Sequence, residues 1–291
     1  MTITVFECVN QGERHIGVSD STSTLLYKAP DFDLGKATIA HGSLELAIDA
    51  LKHATDPVEP AGPATVDRLI PALPRDGRES LVSGFMRTHR SKFEDSEPEG
   101  SGFPPNWFFK GFGSWLKLDG ENLVVPQRAV ALIEEPELVV VYINDDEGTP
   151  HYVGYTFGND LCDIGLHRQN PGWNPYCKLC DTAILDGIRT GRPPAHAEGT
   201  TRISRDSQPV WEGTFDCGED ALQFPVDAMV SHLFTFPAMH RPGMVNYIYL
   251  GADLASFHDG FRIADKDTIS ISIPEHGVNL TNTIHSVETS L

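Results

Sequence analysis

Two apolar segments near the middle of the chain, each joined to acidic residues, place the strongest constraint on its fold. Val139–Ile143 is apolar at nearly every position, which is typical of a strand buried on both faces of a sheet. Turn-forming residues follow, and His151–Phe157 then returns as a second apolar segment that leads to Asp160. The pattern predicts a hairpin that brings Asp160 close to Glu135 and Glu137.

Glu135 and Glu137 are two residues apart, so in an extended strand both side chains project from the same face. Two carboxylates held this close repel each other unless a cation lies between them, and a hard divalent metal with Asp160 as third oxygen ligand fits this need. A solvated sheet edge would explain one acid but explains poorly two acids that lead into a buried strand. Pro136 cannot donate to a ladder, which predicts a sheet edge or a bulge there. Glu134 is predicted to point to the opposite face, at the surface.

Composition excludes several classes of function. The chain has 291 residues, 40% of them hydrophobic and 22% charged, as in an ordinary globular enzyme. Its net charge of −19 argues against nucleic acids and anionic membrane surfaces as partners. No apolar run approaches the roughly 20 residues that span a bilayer, and the start lacks the pattern of a signal peptide. A cytoplasmic protein is expected.

The five cysteines are an odd number and widely spread, which argues against a disulfide framework. Cys177 and Cys180 form a single CxxC without a second pair, so buried thiols are favoured over zinc or redox chemistry.

The order of elements predicts an α+β protein rich in strands. Short strands and a helix capped by Ser43 come first, and a proline-rich connector follows at 57–63. The boundary is predicted near residue 65, giving a small N-terminal domain at 1–65 and a larger catalytic domain at 66–291. Within the latter, Pro225 opens the clearest amphipathic helix, and 244–251 and 268–273 are predicted strands.

The combined motifs resemble the fumarylacetoacetate hydrolase superfamily. Its pattern of Glu-x-Glu, Gly-Tyr-Thr-x-x-Asn-Asp and a later lysine corresponds to 135–137, 154–160 and Lys178. The chain is most similar to the branch of 2-keto-3-deoxy sugar-acid (pentonate) dehydratases, because EPEL at 135–138, Asn-Pro at 170–171 and Phe-Phe-Lys-Gly at 108–111 also have counterparts there.

The resemblance implies a mixed β-roll catalytic domain like that of fumarylacetoacetase, preceded by a small N-terminal domain. It implies one Mg²⁺, or Mn²⁺ or Ca²⁺, per subunit, and assembly as a homodimer or homotetramer. The substrate would be a small 2-keto acid whose carboxylate and keto oxygens chelate the metal. The reaction expected is dehydration of a 2-keto-3-deoxy pentonate to a product of the 2-oxoglutarate semialdehyde type. A hydrolase that cleaves a C–C bond in an acylpyruvate, and a member that binds a keto acid without turnover, are the alternatives.

Three positions depart from the superfamily pattern. Ile164 and Gly165 stand where relatives have Arg-Asp, and Ala252 stands where they have threonine. Arg168 is the candidate replacement for the missing arginine.

The remaining candidate residues receive roles from this resemblance. Lys178 is predicted to act as the acid or base of the dehydration, with a pKa lowered by burial and the nearby metal; a plain counter-ion to the carboxylates is the alternative. Some of the remaining candidates also have simpler structural explanations. Substrate contacts are predicted for five residues: Lys110, His89, Asp163, Arg168 and Ala252.

Overall fold

The computed structural model describes residues 2–20, 22–60, 66–69, 80–93, 105–253 and 255–288. The strands are β1 Thr4–Asn10, β2 Glu13–Ser19, β3 Thr24–Lys28, β4 Pro57–Val58, β5 Val66–Arg68, β6 Ser80–Met86, β7 Asn106–Phe112, β8 Leu116–Lys117, β9 Asn122–Pro126, β10 Leu132–Ile133, β11 Pro136–Asn144, β12 Pro150–Asn159, β13 Cys162–Asp163, β14 Thr182–Ile184, β15 Gly187–Arg189, β16 Glu198–Arg205, β17 Gln208–Asp216, β18 Val245–Tyr249, β19 Thr268–Ile273 and β20 Val278–Val287. The helices are α1 Leu34–His41, α2 Leu44–Ala54, α3 Ile164–Gln169, α4 Asn174–Cys177 and α5 Val226–Leu233.

Most strands belong to one mixed sheet of 13 strands, whose main path is β4-β3-β2-β1-β15-β12-β11-β18-β6-β7. A second sheet of five strands has the order β17-β16-β19-β20-β9, and β10 pairs with β13 alone. Most neighbours are antiparallel, while β18–β6, β14–β8 and β20–β9 are parallel. The predicted α+β, strand-rich class is confirmed.

Strand β11 separates two hydrophobic clusters, which explains why its sequence is apolar at successive positions. Leu138 and Val140 pack in one cluster with the isoleucines of β19 and with helix α5. Val139 and Val141 pack on the other side, together with residues of β1, β2 and α2. A strand covered on both faces has no solvent side to which polar residues could be assigned.

Several elements agree with local sequence signals. Helix α2 begins after Ser43, whose side chain accepts a hydrogen bond of 3.2 Å from the Leu46 amide. Helix α5 follows Pro225 and buries Val226 and its neighbours one turn apart, as the periodicity predicts. Helix α1 was not predicted.

The N-terminal strands are joined to the large sheet, because β1 pairs antiparallel with β15 and also with β5. The predicted boundary at residue 65 lies outside the described residues, and the two-domain division stays a prediction. All five cysteines are buried and free, as expected. Among the described residues, none of the helices has both the length and the apolar content needed to cross a lipid bilayer.

Candidate metal centre and active site

The β11–β12 hairpin brings the three predicted carboxylates together. Glu137 lies opposite Gly158 in the register of the hairpin. The Asp160 amide donates to the Glu135 carbonyl over 2.9 Å, and the Glu135 amide donates to the side-chain oxygen of Asn159 over 3.0 Å. As a result, ligand oxygens of Glu135, Glu137 and Asp160 all lie within 4.8 Å of one another. The spatial grouping predicted from the strand period is present.

This carboxylate cluster lies largely out of contact with solvent. Glu137 and Asp160 are buried, and Glu135 is partly exposed. Burial, together with the charges of Asp160 and Glu135, holds the pKa of Glu137 well above its usual range. The Gly251 amide offsets part of this effect by donating to Glu137 over 2.6 Å. Positive charge placed next to the three carboxylates would therefore stabilise the cluster.

Two buried lysines supply part of that charge. Lys178 Nζ lies 2.6 Å from Oε2 of Glu135 and 2.6 Å from Oδ2 of Asp160. Lys110 Nζ contacts the other oxygen of Asp160 at 2.7 Å and donates to the Leu161 carbonyl over 2.6 Å. Both oxygens of Asp160 thus face an ammonium group.

Lys110 lies at a β-bulge in strand β7. Val82 and Ser83 are adjacent in β6, but their partners in β7 are Gly111 and Phe109. Lys110 is the extra residue between those partners, and such a residue is often turned toward a functional site. Phe108, on the same inner face of β7, lies under Lys178 with its ring centroid 4.2 Å from Nζ.

The lysines determine the ionisation of Asp160. Burial alone would raise the pKa of Asp160, but the charges of Lys110 and Lys178 lower it below its usual value. Burial alone would likewise lower the pKa of Lys178, but Asp160 and Glu135 are among the groups that hold it well above its usual value. The protein's own groups therefore raise the pKa of Lys178, whereas the sequence led us to expect a lowered pKa.

The donor set fits Mg²⁺. Three carboxylates offer hard oxygen ligands, which Mg²⁺ prefers over nitrogen or sulfur. The raised pKa of buried Glu137 shows that the two lysines do not satisfy the cluster fully. Glu135, Glu137 and Asp160 are the residues that would hold the ion.

Known proteins share this fold over the full length of the chain. No protein-family model matches the chain. A probable 2-keto-3-deoxyxylonate dehydratase of Haloferax volcanii is 25% identical over 296 residues, covering 95% of this chain and 97% of that protein. A solved 2-keto-3-deoxy-D-arabinonate dehydratase, complexed with magnesium and 2,5-dioxopentanoate, superposes with a TM-score of 0.73 at 18% identity, over 99% of this chain and 100% of that chain.

A 5-carboxymethyl-2-hydroxymuconate delta-isomerase from Mycobacterium smegmatis has a TM-score of 0.66 at 18% identity, over 98% of this chain and 100% of that chain. The resemblance to the pentonate dehydratase branch of the fumarylacetoacetate hydrolase superfamily is confirmed.

Glu134 does not lie at the surface, where the strand period predicts it. It is fully buried, and it accepts hydrogen bonds from the Ser256 amide at 2.8 Å and the Ser256 hydroxyl at 2.6 Å. The strand β11 begins only at Pro136, so strict alternation does not apply to the residues before it. Glu134 fixes the 255–259 segment instead of facing solvent.

The departures from the superfamily pattern have a packing explanation. Ile164 is partly buried and packs against a small apolar cluster that includes Cys162 and Ala255. A Cβ atom on Gly165 would lie 2.6 Å from the side chain of Val130, so a glycine is required there.

Both side-chain oxygens of Asp163 have backbone partners. They accept hydrogen bonds from the backbone amides of Val130 and Ala131, each at 2.9 Å. These bonds anchor the loop after Asp160, and the substrate contact predicted for Asp163 stays a prediction.

His89 and Ala252 lie beside the cluster and not within it. His89 is buried, its Nδ1 is 3.1 Å from the Thr88 hydroxyl, and its pKa is lowered to about 4, mainly by burial. Ala252 follows Gly251, whose amide binds Glu137, and it is partly exposed. The substrate contacts predicted for both residues stay predictions.

Arg168 has a companion that sequence reasoning missed. Arg168 is exposed at the end of α3, with its guanidinium 5.9 Å from the centre of the Phe257 ring. Lys92 lies close enough for the two cations to interact: burial and then Arg168 lower the pKa of Lys92, against the charges of Glu135 and Asp253. The basic run at 87–92 was the available signal. Lys92 therefore lies within electrostatic reach of both Arg168 and Glu135.

Proposed function

We propose that the protein is a Mg²⁺-dependent dehydratase of a 2-keto-3-deoxy pentonate that forms a product of the 2-oxoglutarate semialdehyde type. One observation carries the proposal: two buried lysines lie within hydrogen-bonding distance of the carboxylate cluster that suits a divalent metal. The names of the dehydratases that resemble the chain support the same reaction.

The charges of the site favour a substrate that carries one negative charge. Three carboxylates and two ammonium groups leave a formal excess of one negative charge. A divalent cation reverses this to one positive charge, which the carboxylate of a 2-keto acid neutralises. A buried site is most stable when its charges are paired in this way.

The metal would supply Lewis-acid polarisation of the keto oxygen, which acidifies the C3–H bond of the substrate. The protein's own residues orient this chemistry. Lys110 and Lys178 each hold one oxygen of Asp160, so this carboxylate cannot rotate freely. Phe108 covers Lys178 and limits the access of water to it.

Lys178 is suited to the acid part of the dehydration. Because neighbouring carboxylates hold its pKa above the usual value, Lys178 is an ammonium group at neutral pH. It can donate a proton from Nζ to the departing C4 hydroxyl, which then leaves as water. As an ammonium group, Lys178 is not the base that removes the C3 proton.

Arg168 and Lys92 are suited to bind the hydroxylated end of the substrate. Lys92 lies within electrostatic reach of Arg168 and Glu135, and both cations are hydrogen-bond donors only. Hydroxyl groups of a sugar acid accept hydrogen bonds from such donors, whereas an apolar acyl chain would leave the cations unpaired.

The proposal is tested by incubating the protein with Mg²⁺ and each stereoisomer of the 2-keto-3-deoxy pentonates while semialdehyde formation is followed. Acylpyruvate loss is followed in parallel. We expect semialdehyde from at least one stereoisomer and no cleavage of acylpyruvates. Acylpyruvate cleavage without semialdehyde would overturn the dehydratase assignment in favour of a hydrolase.

Two lysine variants make this experiment specific to the site. Lys178→Met should lower kcat by roughly 10²–10⁴-fold, the usual contribution of a general acid. Lys117→Met serves as the control, because Lys117 is a partly exposed lysine whose nearest carboxylate, Asp181, is 3.8 Å away. Equal activity of the two variants would contradict the role of Lys178.

A further inference from the structure

We propose that the outer face of strand β7 is the surface on which two copies of this chain associate. The surface is formed by four aromatic residues, which we call the aromatic patch: Trp107, Phe109, Phe112 and Trp115. The inference concerns assembly and does not depend on the reaction that the site catalyses.

The patch exposes an unusual amount of aromatic surface. Its four side chains are between 37% and 48% exposed. The rings of Phe109, Phe112 and Trp115 contact one another with centroids 5.4 to 6.5 Å apart, so they form one continuous area. Since an aromatic side chain presents about 150–250 Å², the exposed fractions amount to roughly 300 Å². An area of this size is comparable to the largest apolar patch on a typical protein surface, and such patches are often functional.

The bulge at Lys110 explains why the patch exists. Without an extra residue, alternation would place Phe109 and Phe112 on opposite faces of β7. The bulge shifts the alternation, so both phenylalanines are exposed while Lys110 is buried. The irregularity thus follows the inward-facing Lys110 and gathers the aromatic rings on the outside.

The position of β7 favours a second copy of the chain as the occupant. Within the described residues, β7 is the last strand of the large sheet and pairs with β6 alone. An edge strand of this kind can pair with another strand, and two identical edges related by a twofold axis pair antiparallel. A stable dimer buries about 800 Å² per partner around an apolar centre, and the patch has the size of such a centre.

Local charge agrees with self-association. Asp and Glu make up 41 of the 291 residues, so most surfaces of two copies repel each other. The segment 105–118, which carries the patch, contains no acidic residue. It is therefore a place where two copies of so acidic a chain can approach without like charges meeting.

The aromatic patch lies on the outer side of strand β7, and the inner side of the same strand forms one wall of the site. Phe108 and Lys110 face Lys178 and Asp160 from the inner side of β7. Leu179, the exposed neighbour of Lys178, lines the same depression as Phe112 and Trp115. A second copy placed here would cover this depression on the reverse side of the lysine pair.

The test is the mass of the full chain in solution, measured by sedimentation equilibrium without substrate. A double variant, Phe109→Glu with Phe112→Glu, places two like charges in the patch. The control, Val210→Glu with Phe236→Glu, adds the same charge at exposed apolar positions of other elements. We expect the wild type and the control to have a multiple of 32.0 kDa and the patch variant to have half the wild-type mass.

A wild-type mass of 32.0 kDa at every concentration would overturn the proposal, as would a patch variant that is folded and keeps the wild-type mass. In the first case the patch would be covered by another part of the same chain or left open. If the patch variant does not fold, hydrogen exchange of β7 in the wild-type oligomer decides. Slow exchange along 106–112 supports pairing of the edge, and rapid exchange contradicts it.

Discussion

Glu134 and Glu137 are both buried carboxylates close together in the chain, but their partners differ. Glu134 binds the amide and hydroxyl of Ser256, which are neutral donors. Glu137 receives a hydrogen bond from Gly251 and otherwise faces two further carboxylates. The hydrogen-bond partners of Glu134 are all supplied by the protein, whereas Glu137 would be stabilised by a bound cation.

This difference predicts that the same substitution weakens metal binding at Glu137 but not at Glu134. Glu137→Gln removes a ligand charge at constant shape, so we expect Mg²⁺ affinity to fall at least about tenfold. Glu134→Gln should leave the affinity unchanged while lowering the free energy of unfolding by about 1–3 kcal/mol, through weaker bonds to Ser256. Titration calorimetry with Mg²⁺, and urea unfolding, measure the two quantities. Equal losses of affinity would contradict the assignment of Glu137.

His89 predicts a pH dependence of stability. Its pKa in the folded protein is about 4, against 6.5 for an ordinary histidine, because burial disfavours the charged ring. Above about pH 6.5 both states of the protein hold the ring neutral. As the pH falls from there toward about 4, the unfolded chain binds a proton that the folded chain does not, and stability is lost.

A His89→Gln variant isolates this contribution, because glutamine does not titrate. Between about pH 7.5 and about pH 5 the wild type should lose about 2 kcal/mol more of its unfolding free energy than the variant does. Carboxylates contribute to both proteins alike, so they cancel in the comparison. The same pH dependence in both proteins would show that the burial of His89 carries no such penalty.

At the scale of residues, the sequence could predict those features that local period and spacing determine. Glu135 and Glu137 are grouped because strand geometry relates neighbours in one segment, and the hairpin adds Asp160. Lys92 was missed because its neighbours, Glu135, Arg168 and Asp253, come from distant segments. No periodicity connects such residues, and only the assembled fold brings them together.

At the scale of elements, Gly251 shows how a turn after β18 supports the site. Its φ is +86°, a conformation that favours glycine, and its amide donates to Glu137. A Cβ atom there would lie 2.2 Å from the Thr88 hydroxyl oxygen and 3.0 Å from the Phe85 carbonyl oxygen. Backbone conformation and packing both require glycine at this position.

Gly251→Ala should therefore lower both stability and metal affinity. Gly243→Ala is the matched control, since Gly243 has a φ of +72° but a Cβ atom added to it would have no neighbour within 4 Å. We expect about 1 kcal/mol of destabilisation for Gly243→Ala, which reports backbone strain alone. Gly251→Ala should be clearly more destabilising, and it alone should weaken Mg²⁺ binding. Equal effects in urea unfolding would mean that the contact with Thr88 relaxes without cost.

Elements with strong local signals were predicted well. The β11–β12 hairpin and helix α5 are present where the sequence predicts them. Helix α1 was missed although Asp33 caps its start and Gly42, with a φ of 83°, ends it. Its buried face consists of Leu34, Gly35 and Thr38, which give almost no hydrophobic period. Capping signals without an apolar stripe were not enough to predict it.

At the scale of the whole molecule, the N-terminal strands share the sheet and core of the site. Thr4, Val5 and Phe6 pair with Arg189, Ile188 and Gly187 of β15. Val5 and Ile16 lie in the same hydrophobic cluster as Val139 and Val141 of β11. Sequence composition suggested a boundary near residue 65 but could not show which strands pair across it, because pairing of distant strands leaves no local signal.

Removal of the N-terminal segment should therefore unfold more than that segment. We expect a chain of residues 66–291 to be insoluble or to lack a cooperative thermal transition, since it would expose the β15 edge and one face of β11. Circular dichroism during heating measures this. A soluble fragment that unfolds cooperatively would show that the predicted catalytic domain is independent.

In the proposed function, the carboxylate cluster holds the Mg²⁺ ion on which the dehydration of a 2-keto-3-deoxy pentonate depends. The most direct test removes divalent ions with a chelator, follows semialdehyde formation, and then restores Mg²⁺. Activity should disappear and return for the wild type, whereas Glu137→Gln should require at least about tenfold more Mg²⁺ for half-maximal rate. Undiminished turnover in the presence of chelator would contradict a role for the metal. A Glu137→Gln variant that needs no more Mg²⁺ than the wild type would contradict the assignment of Glu137 as a ligand.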